Sequence, residues 1–159
     1  MMIRPSIYKI KQIGLGILYI MPKPSGQWLE DDISYFKSMD INIIVSLLED
    51  SEAYSLGLDD EKKICHKYNI KFIQIPTKDR GLPNKEKLKT LVSQLLEALE
   101  DGKNIAIHCR AGIGRAGLLS ACILKTQNID IKSVIEEIST ARKAIIPDTD
   151  EQYEYILKF

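Results

Sequence analysis

The sequence predicts an α/β domain on a largely parallel central sheet flanked by helices, and three observations carry that prediction. Apolar runs of strand length, Ile41 to Leu48, Ile70 to Ile75 and Ile105 to Ile107, alternate with longer stretches of helical periodicity. The first of these runs is apolar throughout most of its length, as a strand buried on both faces requires. Helical patterns separate successive strands, which is the order of a crossover-connected parallel sheet whose ligands bind beyond the carboxyl ends of the strands.

Taken in order, Tyr8 to Met21 is rich in β-branched and aromatic residues, interrupted by Gly14 and Gly16 and followed by Pro22 and Pro24. That predicts one or two short strands with a turn or bulge. Trp28, Leu29, Ile33, Phe36 and Met39 recur at near-helical spacing, with Glu30, Asp31 and Asp32 in the first turn where the helix dipole favours acids. The whole stripe, Trp28 included, is expected in the core. After the Ile41 to Leu48 strand come Glu49-Asp50, a loop through Gly57, and a short helix opened by Leu58 to Glu61 and carrying Ile64, Cys65 and Tyr68. Pro76 stops the Ile70 to Ile75 strand, and Thr77 to Pro83 is a polar, turn-rich loop. Leu88, Leu91, Val92, Leu95, Leu96 and Leu99 fit one helical face from Asn84 to Glu100, which Asp101-Gly102 ends. The Ile105 to Ile107 strand runs through a glycine-containing loop into an apolar helix from about Arg115 to Lys125. Asp130 caps a further helix bearing Ile131, Val134, Ile135 and Ile138. Beyond Pro147, Thr149 to Gln152 reads as a capping box opening a terminal helix with Tyr153, Ile156 and Leu157.

Composition bounds the function. A chain of 159 residues fits one domain, 1–159, and at that size buries roughly two thirds of its unfolded surface without staples. With 22 basic and 22 acidic residues there is no basic footprint, so neither nucleic acid nor an anionic membrane is an expected partner. Three cysteines without framework spacing point to a reducing compartment. No stretch approaches the roughly 20 apolar residues of a spanning helix, so membrane insertion is not expected. The start, Met1 to Pro5, lacks the apolar core of a signal peptide, and a cytoplasmic location is expected.

Chemistry concentrates in His108-Cys109-Arg110-Ala111-Gly112-Ile113-Gly114-Arg115-Ala116-Gly117. A strand ending in a glycine loop with a helix N-terminus behind it makes an anion cradle, here from the backbone N–H groups of Arg110, Ala111, Gly112, Ile113, Gly114 and Arg115. Cys109 sits at its mouth, where the positive helix end and Arg115, six residues on, favour a nucleophilic thiolate. The planar guanidinium of Arg115 can also hold two oxygens of a phosphoryl group, an arrangement that fits a trigonal-bipyramidal transition state. The leaving oxygen of an ordinary phosphoester needs a proton donor. Asp79, thirty residues before Cys109 in the polar loop at a strand end, is the candidate, although an Asp there also suits the start of a turn. Asp40, Asp50 and Asp59 are lesser candidates, and Asp148 reads as a cap. Arg110, Lys78 and Arg80 would rim the pocket with positive potential. His66 reads as surface, and neither His108-Cys109 nor Cys65-His66 has metal-ligand spacing to a second cluster, so no metal is expected. Cys65 and Cys122 fit apolar helix faces.

His-Cys-x5-Arg with Gly112 and Gly114 resembles the signature of the protein tyrosine phosphatase superfamily, of the small dual-specificity type. Shorter Cys-x5-Arg motifs also occur in rhodanese-like and arsenate-reductase-like proteins, from which His108 and the Gly-x-Gly-Arg-x-Gly run set this chain apart. The resemblance implies a cysteine-dependent phosphomonoester hydrolase, with a phosphocysteine intermediate and no cofactor, acting on a phosphorylated protein or a small phosphomonoester. Asp-Arg-Gly-Leu-Pro resembles the general-acid loop of such enzymes, which assigns Asp79 as acid. His108 would support the thiolate through the loop. Gln152 stands where a late-loop glutamine guides the hydrolytic water, while the capping box explains it equally well. The motif departs from the pattern at Ala116, where most relatives carry Ser or Thr and phosphatases of regenerating liver carry Ala. That departure keeps open an alternative, a phosphate-reading or partner-binding module of very low turnover; a sulfurtransferase is a third, more remote reading.

Overall fold

The computed structural model describes residues 3–159. A five-stranded sheet of order β1-β2-β5-β3-β4 is formed by β1 (Tyr8–Ile13), β2 (Gly16–Met21), β3 (Ile43–Ser46), β4 (Lys71–Gln74) and β5 (Ile105–His108). β1 and β2 form an antiparallel hairpin with an irregularity between Lys9 and Lys11, and the other three pairings are parallel. The sheet is therefore largely parallel, as the alternating pattern predicts. Central β5 is buried at every residue, and its register sets Met21, His108 and Ser46 side by side at the carboxyl edge.

Because side chains alternate along a strand, the sheet feeds two apolar layers. Ile105 and Ile107 of β5, with Leu18, Ile20, Ile43 and Val45, pack against α4 (Lys85–Glu100), α5 (Arg115–Lys125), α6 (Ile131–Arg142) and α7 (Asp150–Lys158). Ala106, Ile44 and Met21 face α1 (Leu29–Ser38) and α3 (Glu61–Lys67) on the other side. α5 runs through the middle of the larger layer, buried at every residue from Arg115 to Leu124, which is why its sequence lacks a polar face. No helix among the described residues is long and apolar enough to cross a membrane.

Two sequence expectations are corrected. Trp28 is 58% exposed rather than in the core, because α1 begins at Leu29 and the N-cap residue splays away from the stripe of Leu29, Ile33 and Phe36. The segment expected as a loop before Gly57 contains α2 (Asp50–Ser55), a six-residue helix with no fully buried residue and hence no apolar repeat to announce it.

Three helix starts, those of α4, α6 and α7, carry side-chain caps. Asn84 accepts from Lys87 N–H, Asp130 from Ser133 N–H, and Thr149 forms a reciprocal capping box with Gln152. Asp130→Ala removes the α6 cap and should cost about 1 kcal/mol, while Asp130→Gly costs only a few tenths. Urea unfolding midpoints check this ranking.

Candidate active site

The loop Cys109 to Gly114 leaves the carboxyl end of β5 and returns as α5. Its carbonyls are all turned onto donors. Lys23 N–H donates to Arg110 O at 3.0 Å, Arg142 donates from Nη2 to Ala111 O at 2.9 Å and from Nε to Gly112 O at 3.0 Å, and His108 Nδ1 lies 3.1 Å from Cys109 O. A planar peptide carries its N–H opposite its C=O, so fastening the carbonyls outward aims the amides inward. Among the described residues, no backbone N–H from Arg110 to Arg115 has a protein acceptor. Gly112 is required here: φ is +72° and a Cβ would lie 2.3 Å from Met21 O. At Gly114 a Cβ would meet Asp148 Cβ at 2.9 Å and the Gln152 carboxamide at 3.1 Å.

Arg115 is 1% exposed at the head of α5. Glu52 of α2 grips it in a bidentate pair, Oε1 to Nη1 at 2.8 Å and Oε2 to Nη2 at 2.9 Å, and Thr77 O accepts from Nη1 at 2.8 Å. Asp79 Oδ1 touches Nη2 at 3.3 Å, a longer contact from a half-exposed carboxylate. Nε–H has no acceptor among the described residues, which leaves Nε and the Asp79-facing Nη2 donor for a ligand. Burial alone would lower the Arg115 value; the Glu52 hydrogen bonds and surrounding negative groups raise it instead. Glu52 is correspondingly lowered, chiefly by its hydrogen bonds to Arg115 and against burial.

His108 is fully buried and sits 2.6 Å from Glu61 Oε2 through Nε2. Burial disfavours its charged form, but the negative charge and hydrogen bond of Glu61 outweigh that and raise its value. With the folded-state value above the ordinary 6.5, His108 adds stability that is complete below the unfolded value and is lost as pH rises through the folded one.

The Asp79 loop is fastened at both sides. Thr77 N–H donates to Leu47 O, Gly81 N–H closes a turn on Lys78 O, and Gln152 Nε2 donates to Gly81 O at 3.3 Å. Arg80 Nη1 lies 3.4 Å from Asp148. Gln152 is buried; its Oε1 accepts from Asp148 and Thr149 N–H, so the capping box and a position beside the cradle belong to one side chain. Arg110, Lys78 and Arg80 are exposed, and His66 lies on the surface. Cys109 is 3% exposed; Cys65 and Cys122 are fully buried, and burial pushes their thiols up, that of Cys122 to about 12. The sequence does not single out Glu52 or Arg142, and it marks Glu61 only as part of a helix start. Glu52 follows a strand end, and the acid-rich, Gly- and Pro-free run Glu49 to Ala53 is the local sign of a helix there.

A family model described as the Swiss Army Knife protein, DSP-PTPase phosphatase domain (PTP-SAK), matches residues 16–147. The chain belongs to this dual-specificity phosphatase family. Among curated relatives of the phosphatase domain, protein tyrosine phosphatase domain-containing protein 1 of Bos taurus is 34% identical over 114 residues, 65% of this chain and 14% of that protein's length. Inositol diphosphatase DSP5 of Arabidopsis thaliana is 29% identical over 131 residues, 74% of this chain and 62% of that one. The phosphatase domain thus spans a small fraction of the bovine protein and less than two thirds of the plant one. Among solved structures, kinase associated phosphatase with serine replacing its catalytic cysteine superposes with a TM-score of 0.92 at 19% identity, covering 100% of this chain and 96% of that one. PTPMT1 in complex with PI(5)P gives 0.78 at 19% identity over 96% and 92%. These two likenesses concern the fold.

Arg142→Leu removes two charge-assisted hydrogen bonds to the loop carbonyls while leaving every ligand-facing group in place. A loss of about 1.5–3 kcal/mol would weaken inorganic phosphate binding by about ten- to a hundredfold in titration calorimetry at fixed salt. Unchanged binding would show that the loop amides hold their direction without Arg142.

Proposed function

We propose that the phosphatase domain is a cysteine-dependent phosphomonoester hydrolase acting through a phosphocysteine. One observation carries this reading: the unpaired amides of Arg110 to Arg115, a rigidly held Arg115 and the Asp79 carboxylate that touches its Nη2 gather at the end of the loop that begins with Cys109. In the first step Cys109 Sγ attacks phosphorus, the phosphorus–oxygen ester bond breaks, and protonated Asp79 gives its proton to the leaving oxygen. Arg115 and the loop amides hold the three equatorial oxygens. A water oxygen then attacks the phosphocysteine, Asp79 takes its proton, and the sulfur–phosphorus bond breaks to return the thiolate and release inorganic phosphate. Gln152 is suited to guide that water. One N–H of its carboxamide is committed to Gly81 O; the other has no acceptor among the described residues.

The exposed cations Arg110, Lys78 and Arg80 favour anionic substrates, a phosphorylated protein or a small phosphomonoester; one relative is named for a protein tyrosine phosphatase domain and another as an inositol diphosphatase. Three free cysteines suit a reducing, cytoplasmic setting. No step calls for a metal or an organic cofactor. Hydrolysis of para-nitrophenyl phosphate in EDTA, abolished by Cys109→Ser, tests the reading; tight phosphoester binding without turnover would support the phosphate-reading module instead.

Because attack needs the thiolate and departure needs protonated Asp79, kcat/KM should be bell-shaped in pH. Asp79→Asn should flatten the basic limb and slow esters with poor leaving groups far more than those with good ones. Leaving-group dependence identical to wild type would remove Asp79 from the mechanism.

Ala116 is fully buried in the same core cluster as Cys109 and has no hydroxyl, and Ser120 commits its own to Ala116 O at 2.8 Å, so neither supplies a donor to the departing sulfur. One missing hydrogen bond to a developing charge costs about 1.5–3 kcal/mol, or about ten- to a hundredfold in phosphocysteine hydrolysis. Rapid-quench kinetics should show a burst near one product per site, and Ala116→Ser should raise kcat several-fold and shrink the burst. A wild type without a burst whose kcat ignores Ala116→Ser would mean another group stabilises the sulfur.

A further inference from the structure

Glu61 opens α3, outside the phosphate cradle, and no step of the hydrolysis uses it. It is nevertheless 2% exposed, with Oε2 2.6 Å from His108 Nε2. The other ring nitrogen, Nδ1, lies 3.1 Å from the Cys109 carbonyl. A carboxylate and a carbonyl are both acceptors, and a neutral imidazole has only one N–H. Both contacts are satisfied together when the ring carries a proton on each nitrogen. We propose that Glu61 is a positioning residue that keeps His108 an imidazolium and thereby holds Cys109 as the thiolate. The inference rests on the reading of Cys109 as the nucleophile.

Charge bookkeeping around the pair supports this assignment. A buried imidazolium alone would shed its proton; next to a buried carboxylate it forms a neutral pair whose positive end faces the residue that bears the sulfur. On the loop side, Arg115 of α5 opposes protonation of His108, while the Cys109 carbonyl favours it. On the α3 side, Glu61 faces Cys65, whose thiol it helps burial to keep protonated. Outward, Asp50 of α2, Asp59 and Lys62 line the same cleft of about 520 Å³ as Glu61, and neither Asp50, Asp59 nor Lys62 makes an ion pair with it. His108 is thus the one basic group within pairing distance of Glu61 among the described residues. In Glu61→Gln the hydrogen bond can persist but the charge that stabilises the imidazolium is gone.

Two measurements test this without relying on turnover. Nitrogen-15 spectra of the wild-type chain should show His108 protonated at both nitrogens at neutral pH, and in Glu61→Gln at only one. Iodoacetamide alkylation of Cys109, read by mass spectrometry across pH, should shift its midpoint upward by about one pH unit in Glu61→Gln. His108→Asn should shift it similarly, and Glu61→Gln added to His108→Asn should shift it no further. A neutral His108 in the wild type, an alkylation profile unmoved by Glu61→Gln, or a Glu61→Gln shift that persists beside His108→Asn would each overturn the proposal. If Glu61→Gln does not fold, the wild-type spectrum decides. Absent turnover with the alkylation shift intact would refute the hydrolase reading and leave this inference standing.

Discussion

A peptide group cannot send its N–H and C=O to the same side, so a loop can offer a row of amides to an anion only if the carbonyls are satisfied behind it. In this structure the carbonyls of Cys109, Arg110, Ala111 and Gly112 are taken up by the His108 ring, Lys23 N–H and the Nε/Nη2 edge of Arg142. Those donors come from the end of β5, the segment after β2 and the last turn of α6. Arg142 is itself steadied over the Tyr8 ring, 4.5 Å from its centroid. The direction of the cradle is thus a property of the whole sheet edge, and the tight fit of Gly112 on Met21 leaves the loop little room to turn over.

The same edge takes the Arg115 guanidinium and the His108 ring out of water, where a charged form carries a desolvation cost that close acidic partners offset. Both partners come from the short helices between β3 and β4: Glu52 of α2 for Arg115 and Glu61 of α3 for His108. A six-residue helix is far below the length at which helices persist alone in water. α2 therefore depends on tertiary contacts such as the Glu52–Arg115 pair, and the pair in turn depends on α2. Site and scaffold stabilise one another here.

Across the cradle, the Asp79 loop is held by backbone and amide contacts more than by surface charge. The Arg80–Asp148 pair is long and exposed on both sides, and pairs of that kind contribute little. Thr77, by contrast, is buried and gives its carbonyl to Arg115, and the buried Gln152 reaches Gly81 while capping α7. Capping and loop placement are two uses of one carboxamide. In the proposed mechanism this presents the acid in position before substrate arrives, which lowers the entropy lost on the way to the transition state.

The sequence by itself determined what is written within a few residues. The alternation of apolar strands with helical repeats specified the α/β sheet, the caps at Asn84, Asp130 and Thr149 lie three residues from their partners, and the Cys109-to-Arg115 loop is one continuous strand-to-helix turn. Tertiary structure decided everything that spans the chain. Glu52 meets Arg115 across 63 residues, Glu61 meets His108 across 47 and Arg142 meets Gly112 across 30, and none of these acids or bases carries a local mark that distinguishes it from a solvated surface charge. Trp28 failed in the opposite direction: its spacing belongs to the apolar stripe, but the residue precedes the first helical turn, where the stripe no longer has a face to share. Periodicity reports which side of an element is apolar; which charges meet beneath the loop is set only when the strands align their carboxyl ends.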